Sequence, residues 1–137
     1  MFELDPRLDT DTLPVTNLSL CTVRLMNDSQ FPWLILIPRV AGITEIIDLS
    51  DSQQNQLWQE SKMVSHVLRN VFSPDKLNVA ALGNVVSQLH VHHVARMQAD
   101  CAWPAPVWGR QPTVPYDEDT AQAMVLDIKR QIDRETA

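Results

Sequence analysis

Cysteine is scarce in this 137-residue chain: Cys21 and Cys101 are the only two, far apart and outside any C-x-x-C or zinc-ribbon spacing. Such a pair points to reduced thiols in a cytoplasmic protein and away from a disulfide framework. Positive charge is also short, with 11 Lys and Arg against 17 Asp and Glu and a net charge of −6. A general nucleic-acid binder needs a cationic footprint against the phosphate backbone, so that class is set aside. A small phosphate ligand is not, because backbone amides and a few polar side chains can hold one in an acidic protein. No apolar run approaches the ~18 residues of a membrane span. Met1 to Arg7 has no cationic segment followed by an apolar one, so no signal peptide is expected. Internal repeats and low-complexity segments are absent as well.

Apolar residues, at 45%, are plentiful enough for a core. A chain of this length is expected to form one domain, 1–137, burying roughly two thirds of its unfolded surface. The stretch through Leu18 reads as an irregular arm with room for one short helix. Leu20 to Met26 reads as a strand, stopped by the turn composition Asn27-Asp28-Ser29-Gln30. Trp33 to Ile37, between Pro32 and Pro38, is continuously apolar and β-branched, which suggests a central strand buried on both faces. The two strands form an antiparallel hairpin. A long helix opens at the capping-box pair Ser50 and Gln53 and ends near Phe72, because Pro74 cannot continue it. Leu57, Val64, Val67, Leu68 and Val71 recur at helical spacing, with Gln54, Glu60, Lys62 and Arg69 mostly elsewhere. Strands at Leu77–Leu82 and Gln88–Arg96 follow, joined by a tight connection at Gly83-Asn84. The proline-rich loop 100–116 is expected to pack through Trp103 and Trp108, and Asp117 to Asp133 reads as a helix with Met124, Ile128 and Ile132 on one face. This order predicts an α+β fold: an antiparallel sheet of about five strands, one long helix and a C-terminal helix.

Three of the four histidines, His90, His92 and His93, fall within four consecutive positions. On a strand, Gln88, His90, His92 and Val94 point one way, with i and i+2 roughly 6.5–7 Å apart. Leu89, Val91, His93 and Ala95 point the other way, into the core. The polar face is left for solvent, a partner or a substrate. An ordinary imidazole, with a pKa of about 6.5, is largely a free base or nucleophile at neutral pH. Its nitrogen can attack phosphorus and carry a nucleotidyl group, splitting one hard displacement into two easier ones. A second imidazole two residues on can donate to phosphate oxygens, and the Gln88 amide adds a neutral hydrogen bond. The ordinary alternative is a satisfied structural histidine, and His93 and His66 are read that way. Zinc is the other alternative, but a catalytic site takes three protein ligands. None stands close in sequence, although Cys21, Cys101, Asp100 or His66 could approach in space, and no metal is expected. Asn27, Asn78 and Asn84 flank the strands and offer neutral amides to ribose hydroxyls and phosphate oxygens; each is also an ordinary turn residue.

The run Gln88-Leu89-His90-Val91-His92-His93-Val94 resembles the His-φ-His-φ-His-φ-φ motif (φ apolar) of the histidine triad (HIT) family of nucleotide hydrolases and transferases. Ala95-Arg96 is similar to the family's frequent closing Pro-Arg. Leu25-Met26-Asn27, Pro32 to Arg39 and Asp48-Leu49-Ser50 extend the resemblance, which spans Leu20 to Arg96. It implies a bacterial-type variant in which His90 attacks the α-phosphate and carries a covalent nucleotidyl group. His92 would then assist the phosphate and the leaving group. It also implies nucleotide contacts from Asn27, Asn78 and the Gly83-Asn84 turn, a homodimer, and no cofactor. Three features depart from the family: Gln88 replaces the first histidine, His93 occupies an apolar position, and the hairpin before the triad is short. The implied function is hydrolysis of a phosphoanhydride or phosphoramidate, as by a dinucleoside polyphosphate (Ap4A) hydrolase, with transfer left open. The alternative, prompted by Gln88 and the short hairpin, is a nucleotide-binding or regulatory protein with little turnover. The segment around Trp103 and Trp108 would reach the partner subunit or rim the site.

Overall fold

In the computed structural model, which describes residues 1–137, the apolar run between prolines lies at the centre of the sheet. Strand β3 (Trp33–Pro38) is buried at every position. It pairs with β2 (Cys21–Met26) on one side and with β5 (Val91–Arg96) on the other, both antiparallel. Strand β1 (Thr12–Asn17) lies outside β2 and β4 (Lys76–Ala80) outside β5, giving the order β1-β2-β3-β5-β4. Three helices complete the α+β fold: α1 (Pro6–Asp11), α2 (Asp51–Phe72) and α3 (Glu118–Thr136), with a short 3-10 turn at Ile46–Asp48.

Alternation along the strands sends side chains to two separate cores. On one face, Leu34, Leu36, Val91 and Ala95 pack beneath Leu57, Val64 and Leu68 of α2 and Ile128 and Ile132 of α3. On the other, Trp33, Ile35, Ile37 and Val94 pack beneath Leu8 of α1, Phe31, and Ala102 and Val107 from the loop after β5. The polar face of β5, expected from the sequence to be open to solvent, a partner or a substrate, is instead covered: His92 is 5% exposed and Arg96 2%. The proline-rich loop and the N-terminal arm cover it.

Helix α2 begins as expected, with Ser50 and Gln53 capping reciprocally, and ends at Phe72 with Ser73 in the left-handed region. Glu60, however, belongs to the buried face. Its carboxylate accepts from the backbone amides of Leu20 (2.9 Å) and Cys21 (2.8 Å) and from Gln56 Nε2 (2.7 Å). A buried carboxylate is tolerated where its oxygens are so used, and here it ties α2 to the start of β2. Burial, with the adjacent carboxylate, pushes the Cys21 thiol up; both cysteines are unpaired.

Three boundaries differ from the sequence reading. The N-terminal stretch forms the one short helix the sequence left room for, α1, but continues into a strand, β1, instead of an irregular arm. The sheet register shifts between Pro14 and Thr16, so β1 does not alternate cleanly along its length. Strand β4 ends at Ala80, and β5 begins at Val91 instead of Gln88. The Leu89 amide donates to the Ile43 carbonyl, outside the sheet, so pairing has not begun there. Residues 81–90 are thus an extended connection, with Gly83 at φ +79°, and not a tight turn.

Candidate functional site

His90 is the last residue before β5 and His92 the second within it, their ring centroids 4.8 Å apart and edge to face. His90 Nδ1 lies 2.7 Å from the Gln88 carbonyl oxygen. A carbonyl only accepts, so the proton sits on Nδ1 and the Nε2 lone pair is free. His92 is set the opposite way. Trp33 Nε1, which only donates, lies 3.0 Å from His92 Nδ1 and leaves the proton on Nε2. Sheet register makes this contact: Trp33 faces Val94 across the β3–β5 ladder and is diagonal to His92. One ring therefore offers a nucleophilic nitrogen and its neighbour an N–H.

His92 sits between two indoles, 5.6 Å from Trp33 and 5.2 Å from Trp108 by ring centroids. Burial foremost, then the neighbouring imidazoles of His90 and His93, push its pKa down to about 3. It is a neutral donor at working pH. His93 faces the other core, where Nδ1 donates to the Val91 carbonyl (3.1 Å) and Nε2 accepts from Ser61 Oγ (2.7 Å). Burial holds it down to about 4.

These two buried rings predict acid sensitivity. Both are neutral in the fold, while in the unfolded chain each binds a proton below about pH 6.5. As the pH falls below that value the unfolded state gains protons that the folded state does not. Stability is therefore lost from pH 6.5 down to the folded values of about 3 and 4. Each histidine should lower it by about 2 kcal/mol between pH 7 and 5. Urea unfolding across that range measures the loss, and replacing His93 with glutamine should flatten the slope. An unchanged slope would contradict the assignment.

A cleft of about 270 Å³ opens onto the two rings. Its walls include Arg7 and Asp11 from α1, Gly83 and Asn84 from the 81–90 connection, and Trp108. Past Met26 and Asp11 it adjoins a second hollow of about 300 Å³, lined in part by Asn27, Trp33 and Thr113. A larger groove of about 530 Å³ between β1 and α3 holds no histidine.

Of the residues singled out from the sequence, the structure brings together His90, His92, Gly83, Asn84 and Trp108, whereas Trp103 does not line the cleft. Gln88 lies beside them, but its side chain turns to the N-terminal arm. Its Nε2 donates to the Glu3 carbonyl (2.8 Å) and its Oε1 accepts from the Asp5 amide (2.9 Å). Asn27 borders the second hollow, with Oδ1 accepting from the Tyr116 amide (3.0 Å). Asn78 accepts from Arg96 Nη1 (2.9 Å) and does not line the cleft. Sequence reasoning missed Trp33, Arg7 and Asp11. The last two share one wall as an i, i+4 pair, a spacing legible only once the arm is recognised as helical. No group of three or more His, Cys, Asp or Glu is arranged to hold a metal ion, and no helix is long and apolar enough to cross a membrane.

Sheet order and site together define a small α+β class with paired imidazoles at the start of one strand, beneath a helical arm. Residues 8–99 match the HIT domain, and the chain belongs to the HIT domain family. A histidine triad protein from Marinobacter aquaeolei is 48% identical, with a TM-score of 0.95 over 98% of both chains. One from Bradyrhizobium japonicum is 44% identical, with a TM-score of 0.93 over 96% of this chain and 98% of that one. A hypothetical histidine triad nucleotide-binding protein from Sulfolobus tokodaii, at 16% identity, shares the fold (TM-score 0.69; 90% and 85% covered). No curated protein matches the sequence. Members of the family bind nucleotides and are generally hydrolases or transferases.

Proposed function

We propose that the protein is a nucleotide hydrolase that works at an α-phosphate through a covalent nucleotidyl-His90 intermediate. The opposed protonation of the paired rings carries this reading: a free Nε2 on His90 beside an Nε2–H on His92. His90 Nε2 attacks the α-phosphorus. A P–N bond forms, the bond to the leaving group breaks, and its electron pair departs with that group. His92 Nε2–H donates to a phosphate oxygen, and the Gln88 carbonyl, bonded to Nδ1–H, steadies the charge His90 acquires. Water then attacks phosphorus, the P–N electrons return to Nε2, a proton passes to solvent, and a nucleoside monophosphate leaves. Because His92 is held neutral, it donates a hydrogen bond without delivering a proton. That state suits a phosphate leaving group, which departs as an anion, better than an amine, which must be protonated. Dinucleoside polyphosphates are therefore favoured over phosphoramidates as substrates.

In this reading Gln88 occupies the first triad position. The chain acts as a homodimer in the cytoplasm, for which the open β4 edge with exposed Val79 and the two unpaired thiols give support. The test is a rapid-quench mass-spectrometric trap with adenosine and guanosine polyphosphates and phosphoramidates. A nucleotidyl adduct on His90 that decays as monophosphate appears is expected. Nucleotide binding with neither adduct nor product would replace the hydrolase by a regulatory nucleotide-binding protein.

A further inference from the structure

We propose that Arg7 is the anion-binding residue of the cleft, and that Gln88 is the positioning residue that holds it there through the N-terminal arm. The proposal rests on the nucleotide reading above and assigns the part of the ligand that Arg7 meets: phosphate oxygens.

The arm is fixed link by link. Both ends of the Gln88 amide are used on it, at Glu3 and Asp5. Asp5 then caps α1, its carboxylate accepting from the Arg7 amide at 2.8 Å, with Pro6 in the first turn. One residue further, Leu8 is buried in the core that holds Trp33 and Ile35. The backbone at Arg7 is thus tied to the connection that leads into β5 on one side and to the sheet on the other. Its side chain is exposed and borders the cleft.

Arg7 is the only lysine or arginine lining that cleft, and its guanidinium forms no ion pair. Arg24 and Arg96 are paired with Asp9 and Asp100, and Arg39 is bonded to backbone carbonyls. Asp11, one turn along the same wall, is not within pairing distance of Arg7. The site otherwise meets a phosphate with a neutral His92 in a protein of net charge −6, so charge compensation falls to this guanidinium. Its fork of N–H donors matches phosphate oxygens. The glutamine at the first triad position thereby acts at a distance: instead of touching substrate, it sets where the cation stands.

Isothermal titration of AMP and of adenosine separates the phosphate contribution from the nucleoside's. Arg7→Gln should weaken AMP binding by about 10- to 100-fold and leave adenosine unchanged, with Arg7→Lys intermediate. Gln88→Met should weaken AMP in the same selective way, and the Arg7→Gln/Gln88→Met double variant should be no weaker than Arg7→Gln alone. AMP affinity in Arg7→Gln equal to wild type, or an equal loss of both ligands, overturns the Arg7 assignment. Losses that multiply in the double variant overturn the coupling through Gln88. Wild-type protein that binds no AMP overturns the nucleotide reading itself, which no variant outcome does.

Discussion

Alanine at position 90 is expected to cut kcat by about three orders of magnitude or more while the fold survives. The size follows from the mechanism: without His90 Nε2 no covalent intermediate forms, and the single displacement by water must proceed on positioning and hydrogen bonds alone. The fold survives because His90 precedes β5 and its ring makes one hydrogen bond to the protein, to the Gln88 carbonyl. Steady-state turnover and the urea midpoint, measured on the same preparation, separate the two effects. In His90→Gly, free imidazole should restore consumption of substrate and appear in solution as a nucleoside phosphorimidazolide. Turnover at the wild-type rate in His90→Ala would sink the mechanism.

Arg96 should dominate stability in the way His90 dominates turnover. It is 2% exposed and grips Asp100 at 2.8 and 3.0 Å, Asn78 at 2.9 Å and the Ala105 carbonyl at 2.8 Å. Its guanidinium carbon also lies 5.7 Å from the Phe31 ring centre and 5.8 Å from that of Trp103. Asp100, held well below the usual carboxylate range chiefly by Arg96, in turn accepts from the amides at the head of the loop. Replacing Arg96 with methionine keeps the volume but leaves that carboxylate enclosed without its cation. The expected loss is about 3–5 kcal/mol in denaturant unfolding. Adding Asp100→Asn should recover part of it, since a buried unpaired charge is then removed. A loss under about 1 kcal/mol would mean that the network is slack. Because the clamp fastens the loop that carries Trp108, weakened ligand binding should accompany the lost stability.

How legible these features were depends on how local their causes are. Ser50, Gln53 and Pro74 frame α2 within a few residues of its ends. Pro32 and Pro38 do the same for the run that becomes β3. The spacing of His90 and His92 likewise survives in one short window. Strand β1 was hidden because only Thr12 and Val15 are fully buried and its register shifts after Pro14. The site's finer chemistry was not written locally at all. His92 owes its tautomer to Trp33, 59 positions earlier, and Gln88 spends its amide on Glu3, 85 positions earlier. Glu60 looked like a surface residue because, beyond Gln56 on its own helix, its partners are backbone amides at the start of another element, which no side-chain pattern announces.

The indoles of Trp33 and Trp108 stand edge to face, 5.9 Å apart, with His92 against both. That arrangement gives the molecule an optical readout of its own. Indole emission responds to a neighbouring imidazole and to the polarity of whatever enters beside it, so a ligand filling the cleft changes the light these two rings emit. Trp58, half in solvent on α2, contributes a steady background. Trp103, against Arg96, senses the loop and not the ligand. The four tryptophans divide into two that watch the chemistry, one that watches the clamp and one that watches the solvent.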